Sequence, residues 1–218
     1  MVLSRYPEAI RAASRALELN PNSLLALRLR ASARSYAEEG EGDDAVALIK
    51  ADLRGMIDVS PEEPLYRREF VNYLMDRSDF SEAISLLDES IEACPNEVWF
   101  FYARGSCRTR LDEEFWEKDI DESGEERVER SKAAIVDIER AIELGMRDED
   151  TYWELVRAYE GLHDAEAMLA VLDRAVEALP SFSLLYVFRE SRRRNAGDLK
   201  GAAEDHARAE ALGYRFDP

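Results

Sequence analysis

The chain has 218 residues, and 29 Lys and Arg against 47 Asp and Glu leave a formal charge of −18. That balance argues against nucleic acid, whose phosphates need a basic stripe, and against an anionic membrane surface. With 46% apolar residues, only 17 Gly and Pro together and long runs rich in Ala, Leu, Glu and Arg, the composition is that of a globular, mostly helical protein.

In chain order, the first predicted element is the amphipathic helix "EAIRAASRALELNPNS" (8–23). Its opening residues contain no continuous apolar core of the kind a signal peptide needs. Four further segments read the same way: "EAISLLDESIEACPNE" (82–97), "AAIVDIERAIELGMRD" (133–148), "EAMLAVLDRAVEALPS" (166–181) and "GAAEDHARAEALGYRF" (201–216). Each is a helix closed by a turn. The turn markers Pro21, Pro61, Pro95, Met146, Pro180 and Tyr214 are separated by 40, 34, 51, 34 and 34 residues.

Twelve residues before a marker stand Ala9, Ala83, Ala134 and Ala202, and five before it Ala16, Ala141, Ala175 and Ala209. In the pair ending at Pro61 the corresponding alanine, Ala45, lies sixteen residues back instead. Small residues at these spacings let neighbouring helices approach closely. Between the segments lies a second set of predicted helices: "LLALRLRASARSYA", "LYRREFVNYLM", "VWFFYARGSCRTRL", "DTYWELVRAYEGL" and "LLYVFRESRRRN". Asp79, Asp164 and Asp198, in the short turns "SDF", "HDA" and "GDL", are expected to N-cap the helices that follow.

A 34-residue helix pair with alanines at these spacings and proline at the turn resembles the tetratricopeptide repeat. "YARG", "AIVDIERAIELG" and "AGDLKGAAEDHARAEALG" are similar to its bacterial members in particular. The resemblance covers essentially the whole chain, although Arg67 and Glu190 stand where the family packs an aromatic or a small residue. It implies an all-α fold: one right-handed solenoid domain of antiparallel helix pairs, five pairs after an N-terminal helix. The units are expected at 1–23 (a half repeat), 24–62, 63–96, 97–147, 148–181 and 182–218, and they share one core because no pair buries its apolar face alone. It also implies a protein-binding scaffold whose concave groove is lined by the first helix of every pair.

In the family's phase, the groove set is Leu25, Arg28, Ser32 and Ser35, then Leu65, Arg68, Asn72 and Met75, then Trp99, Tyr102, Ser106 and Thr109. Asp150, Trp153, Arg157 and Glu160 follow, then Leu184, Val187, Ser191 and Arg194. Trp99, Tyr102 and Trp153 suit buried anchors, while Arg28, Arg68, Arg157 and Arg194 suit an acidic or carboxylate-bearing peptide. Arg68 and Asn72 resemble the start of the clamp by which some family members grip a chaperone's C-terminal carboxylate. Ala103, Asp150 and Glu154 break its continuation.

The 51-residue interval contains an acidic insertion, 112–131, in which ten of twenty residues are Asp or Glu. "DIDESG" (119–124) invites a calcium-loop reading, but the twelfth place, which needs a bidentate Glu, is Arg130. Ser123 with Glu126 reads instead as a capping box, and the insertion as two prolonged helices joined at "KDIDES". Its aromatics, Phe115 and Trp116, are a candidate second interface.

The two histidines, His163 and His206, lie over a repeat apart, and neither a metal-ligand spacing nor a phosphate loop accompanies them. The expectation is therefore no enzyme, no cofactor and no metal. Cys94 and Cys107 read as reduced thiols, consistent with the cytoplasm, and nothing approaches a membrane span. The flanks of the first and last helices (Ala202, Ala203, Ala209 and Leu212 in the latter) are expected to be uncovered. That leaves either a segment of a longer protein or homo-oligomers formed through terminal helices, as in a self-assembling scaffold that Leu212→Glu would disperse.

Overall fold

The computed structural model describes residues 5–37, 43–117 and 124–216, excluding the side chains of 43 and 112–117. Its elements are all helices: α1 (Arg5–Leu19), α2 (Leu24–Tyr36), α3 (Asp43–Val59), α4 (Pro64–Asp76), α5 (Phe80–Ala93), α6 (Val98–Glu117), α7 (Gly124–Glu143), α8 (Glu149–Gly161), α9 (Ala165–Ala178), α10 (Ser183–Asn195) and α11 (Leu199–Ala211). The architecture is thus an all-α solenoid in which a lone second helix, α1, precedes five helix pairs. The chain divides into two compact units, Met1–Glu97 and Val98–Pro218.

The repeated alanines explain how the two helices of a pair meet. Ala83, Ala134, Ala141, Ala175 and Ala209 are completely buried. At the same positions in α1, Ala9 is only half-buried and Ala16 is exposed, since α1 follows no first helix within the described residues. Close approach is tightest between α6 and α7, where a Cβ on Gly105 would meet Ile138 Cγ1 at 2.5 Å. Larger apolar groups fill the space between pairs; in the second unit Ile138, Leu155, Leu172 and Leu185 are buried together.

The three described turns within pairs that carry an aspartate follow one geometry. The residue before the capping aspartate is left-handed: Ser78 (φ 60°), His163 (φ 55°) and Gly197 (φ 84°). Asp164 and Asp198 then accept the backbone N–H of Ala167 and Gly201, each at 2.9 Å, as expected of N-caps. Asp79 departs from expectation. It occupies the cap position but makes no side-chain cap bond, because its carboxylate accepts from Lys50 Nζ at 3.0 Å.

The insertion lengthens both flanking helices to 20 residues, against 13 in every other first helix. Gly124 begins α7, so the second half of the calcium-loop reading is regular helix. The tip at 118–123, and with it Ser123, lies outside the described residues, as do the side chains of Phe115 and Trp116.

The last helix corrects one expectation. Ala202 and Ala209 are 2% and 0% exposed, because those positions face α10, and Leu212 is half-buried on the core. Phe216 stacks on His206 at 3.9 Å, with Tyr214 edge-on to Phe216. His206 and Glu210 occupy the places that Leu172 and Val176 hold, buried, one repeat earlier. Ala203 is exposed as expected, but Ala202, Ala209 and Leu212 are covered, and the flank carries His206 and Glu210 where an apolar pair was expected. On α1, by contrast, Ala12, Ala16 and Leu19 are exposed, Leu19 to 85%.

Candidate partner-binding surface

One polar pattern recurs inside the fold, and its residues are not those singled out from sequence. Asp52 on α3 is buried, and Arg30 of α2 grips it with Nε at 3.1 Å and Nη2 at 2.6 Å while Arg34 adds Nη1 at 2.5 Å. Asp137 on α7 is held the same way by Arg104 (2.8 and 2.6 Å) and by Arg108. Asp205 on α11 is held by Arg189 (3.0 and 2.6 Å) and Arg193 (3.0 Å). The arginines stand nine and thirteen residues after a turn marker and the aspartate nine before the next, in the first, third and fifth pairs only. In the second and fourth pairs the same places hold Phe70, Leu74 and Leu86, and Leu155, Tyr159 and Val171. Each triad sets two guanidiniums on one buried carboxylate, with Arg189 and Arg193 also donating to Asp173 of α9 at 2.8 and 3.1 Å, which fixes those six arginines to structural work.

The proposed groove residues lie on first helices, and the structure shows what each meets. Arg28 on α2 pairs with Glu69 of α4 at 2.5 Å. Arg68 lies 3.8 Å from Glu97, and Arg157 lies 3.8 Å from Glu154. Arg194 pairs with Glu190, one turn earlier on α10. All four arginines therefore already face a carboxylate of their own chain. Asn72 is exposed on α4.

Trp99 is half-buried beside Phe100, and Trp153 packs on Phe188 with ring centroids 4.2 Å apart. Tyr102 is half-buried too; burial pushes its hydroxyl up to about 12, and the carboxylates of Glu154 and Asp150 add to the shift. Ser106 and Thr109 are not groove-facing but buried, because both hydroxyls donate to Glu154 of α8, at 3.0 and 2.5 Å. Glu154, 4% exposed, is thus a polar rivet between α6 and α8.

In the first unit, α2 and α4 border a cleft of about 410 Å³, with Ile49 and Leu53 of α3 beneath it. Its rim carries Arg28, Ser32, Tyr36, Asn72 and Asp76.

One position on the first helices, four residues after the turn marker, repeatedly carries a large apolar group. It holds Leu25, Leu65, Trp99, Asp150 and Leu184, and the three leucines are 69%, 45% and 38% exposed. Trp99 is half-buried and Asp150 interrupts the series in α8, so the exposed leucine is a surface feature shared by α2, α4 and α10.

The remaining chemistry is sparse. The two histidines are apart: His163 meets Arg127 at 2.8 Å and His206 meets Glu190 at 3.2 Å. Both cysteines are free thiols, and burial pushes the Cys107 thiol up to about 12. Among the described residues no cluster of three or more His, Cys, Asp or Glu could hold a metal ion, and no helix is long and apolar enough to cross a membrane.

No family profile and no curated protein matches the chain. Solved structures do. A MamA double mutant superposes with a TM-score of 0.64 at 17% identity, over 87% of this chain and 93% of that one. YrrB, described as a TPR protein with an unusual peptide-binding site, gives 0.61 at 15% identity over 94% of each chain. The fold is the tetratricopeptide repeat. PilW, a type IV pilus biogenesis factor, shares it with a TM-score of 0.59 at 14% identity, over 94% of this chain and 85% of its own. At these identities the tetratricopeptide likeness concerns the fold alone.

Proposed function

We propose that this chain is a non-catalytic scaffold that holds a protein or peptide partner against its first helices, α2 and α4 in the first unit and α6, α8 and α10 in the second. The observation that carries the reading is the recurrence of Leu25, Leu65, Trp99 and Leu184 at one repeat position, the leucines all solvent-exposed. Asn72 on α4, Tyr102 on α6 and Trp153 on α8 lie on first helices too and supply hydrogen-bonding and aromatic contacts. That a tetratricopeptide protein of similar fold is described as binding a peptide lends support.

The test is to select peptides against the chain by display and map the bound state by hydrogen exchange. Protection should concentrate on α2, α4, α6, α8 and α10, and Leu25→Glu with Leu65→Glu should abolish it. Protection confined to α3, α5, α7, α9 or α11 would refute the reading.

A second reading, self-association, is favoured at α1, where Leu19, Ala12 and Ala16 are exposed. Light scattering decides it. A concentration-dependent dimer that Leu19→Glu disperses would establish that reading, and a monomer near 24.9 kDa would remove it.

A further inference from the structure

We infer that the cleft between α2 and α4 receives a basic side chain, lysine or arginine, from the bound partner. The inference rests on the partner-binding reading and reverses the charge that the sequence suggests for the ligand.

An incoming carboxylate finds little to bind there. Arg28, the cation on the rim, is already met by Glu69 at 2.5 Å, so that pair is close to neutral as seen by a ligand. The charge left over is Asp76, exposed at the C-terminal end of α4, with no ion pair among the described residues. A carboxylate would therefore meet an engaged guanidinium and an unshared negative charge.

A cationic side chain finds matching chemistry at each level of the cleft. Ile49 and Leu53 offer an apolar floor of the kind on which the methylene stem of lysine or arginine packs. The carboxylate of Asp76 and the amide oxygen of Asn72 accept hydrogen bonds from its head group. Tyr36 is 66% exposed and stacks on Tyr6 at 6.0 Å, which leaves ring surface open to a cation.

The experiment is a ¹⁵N chemical-shift titration of the whole chain with three blocked amino acids: Nα-acetyl-arginine methylamide and its lysine and glutamate counterparts. The arginine and lysine probes should move amide signals of Ser32, Tyr36, Asn72 and Asp76 and saturate, while the glutamate probe leaves them in place. Asp76→Asn, at an exposed position, should keep the spectrum of a folded chain and weaken the cationic probes at least about fivefold. Raising the salt should weaken them as well. Cationic probes that leave the cleft unmoved, a glutamate probe that binds as well, or an Asp76→Asn chain with unchanged affinity would each overturn the inference. Display-selected peptides that protect the first helices yet ignore Asp76→Asn would refute the cleft's role and leave the scaffold reading standing. Saturable cationic probes with no selected peptide would support the cleft and count against the scaffold.

Discussion

Replacing Asp137 by alanine takes from Arg104 and Arg108, one turn apart on α6, the buried α7 carboxylate that both hold. The carboxylate is 2% exposed and accepts from Arg104 at 2.8 and 2.6 Å and from Arg108. Removing one member of such a buried pair costs about 3–5 kcal/mol, because the remaining charge stays desolvated. With a urea dependence of about 2 kcal/mol per molar, the midpoint should fall by roughly 2 M. All three tryptophans, Trp99, Trp116 and Trp153, belong to the second unit, so their fluorescence reports the unfolding of that unit. The control replaces the whole triad by its equivalents from the fourth pair: Arg104→Leu, Arg108→Tyr and Asp137→Val. Well-packed apolar groups in place of a buried ionic cluster are commonly neutral or stabilising, so the triple variant should lie within about 1 kcal/mol of the parent or above it. A loss below about 1 kcal/mol for Asp137→Ala would show that the carboxylate is not desolvated. A triple variant as weak as the single one would show that shape, not charge, is what the site requires.

The alkaline limb of stability should reflect α6. Cys107 and Tyr102 are neutral when protonated, and burial raises both to about 12 from ordinary values of 9.0 and 10.0. The stabilisation is fully present below about pH 9 and is lost as pH rises toward 12, since the unfolded chain ionises first. For Cys107 the loss between pH 8 and 10 is about 1.4 kcal/mol, and Cys107→Ala should flatten that part of a urea-midpoint profile. Iodoacetamide should label Cys94 in the native chain and Cys107 only after unfolding, as mass spectrometry would show. Gly105→Ala places a methyl group 2.5 Å from Ile138 Cγ1 and 3.2 Å from the Ala134 carbonyl oxygen, and should cost about 1–3 kcal/mol in the same urea assay. Ser78→Gly relieves a left-handed residue at φ 60° and should gain about 0.5–1 kcal/mol; a loss would mean that the turn is not strained.

The helix pairs were legible because their signal is local and periodic. Alanines twelve and five residues before each marker are where helices of a pair touch, and no distant residue has to be known to see that. The triads were equally present in the sequence. Aligned on the same markers, arginines at nine and thirteen after and aspartates at nine before stand out in alternate repeats, but a search for small apolar columns passes over charged ones. The chemistry of the first-helix face was harder to foresee. Arg28 meets Glu69 forty-one residues away, and that pairing depends on how α2 lies against α4. Ser106 and Thr109 carry hydroxyls that suit a wet groove, and only Glu154 opposite explains why they are buried. Asp79 shows the same limit at a cap, where Lys50, twenty-nine residues earlier, outcompetes a neighbouring N–H.

A chain built from near-copies of one helix pair must keep each first helix from docking on the wrong second helix while it folds. Alternation of ionic and oily pairs makes that mistake expensive. Were α6 to close on α9 instead of α7, Arg104 and Arg108 would meet Val171 where they now meet Asp137, and two guanidiniums would lose the carboxylate they share. Were α8 to close on α7, Leu155 and Tyr159 would meet a bare aspartate. Neighbouring pairs thus reject each other's partners, much as adjacent keys are cut to different wards.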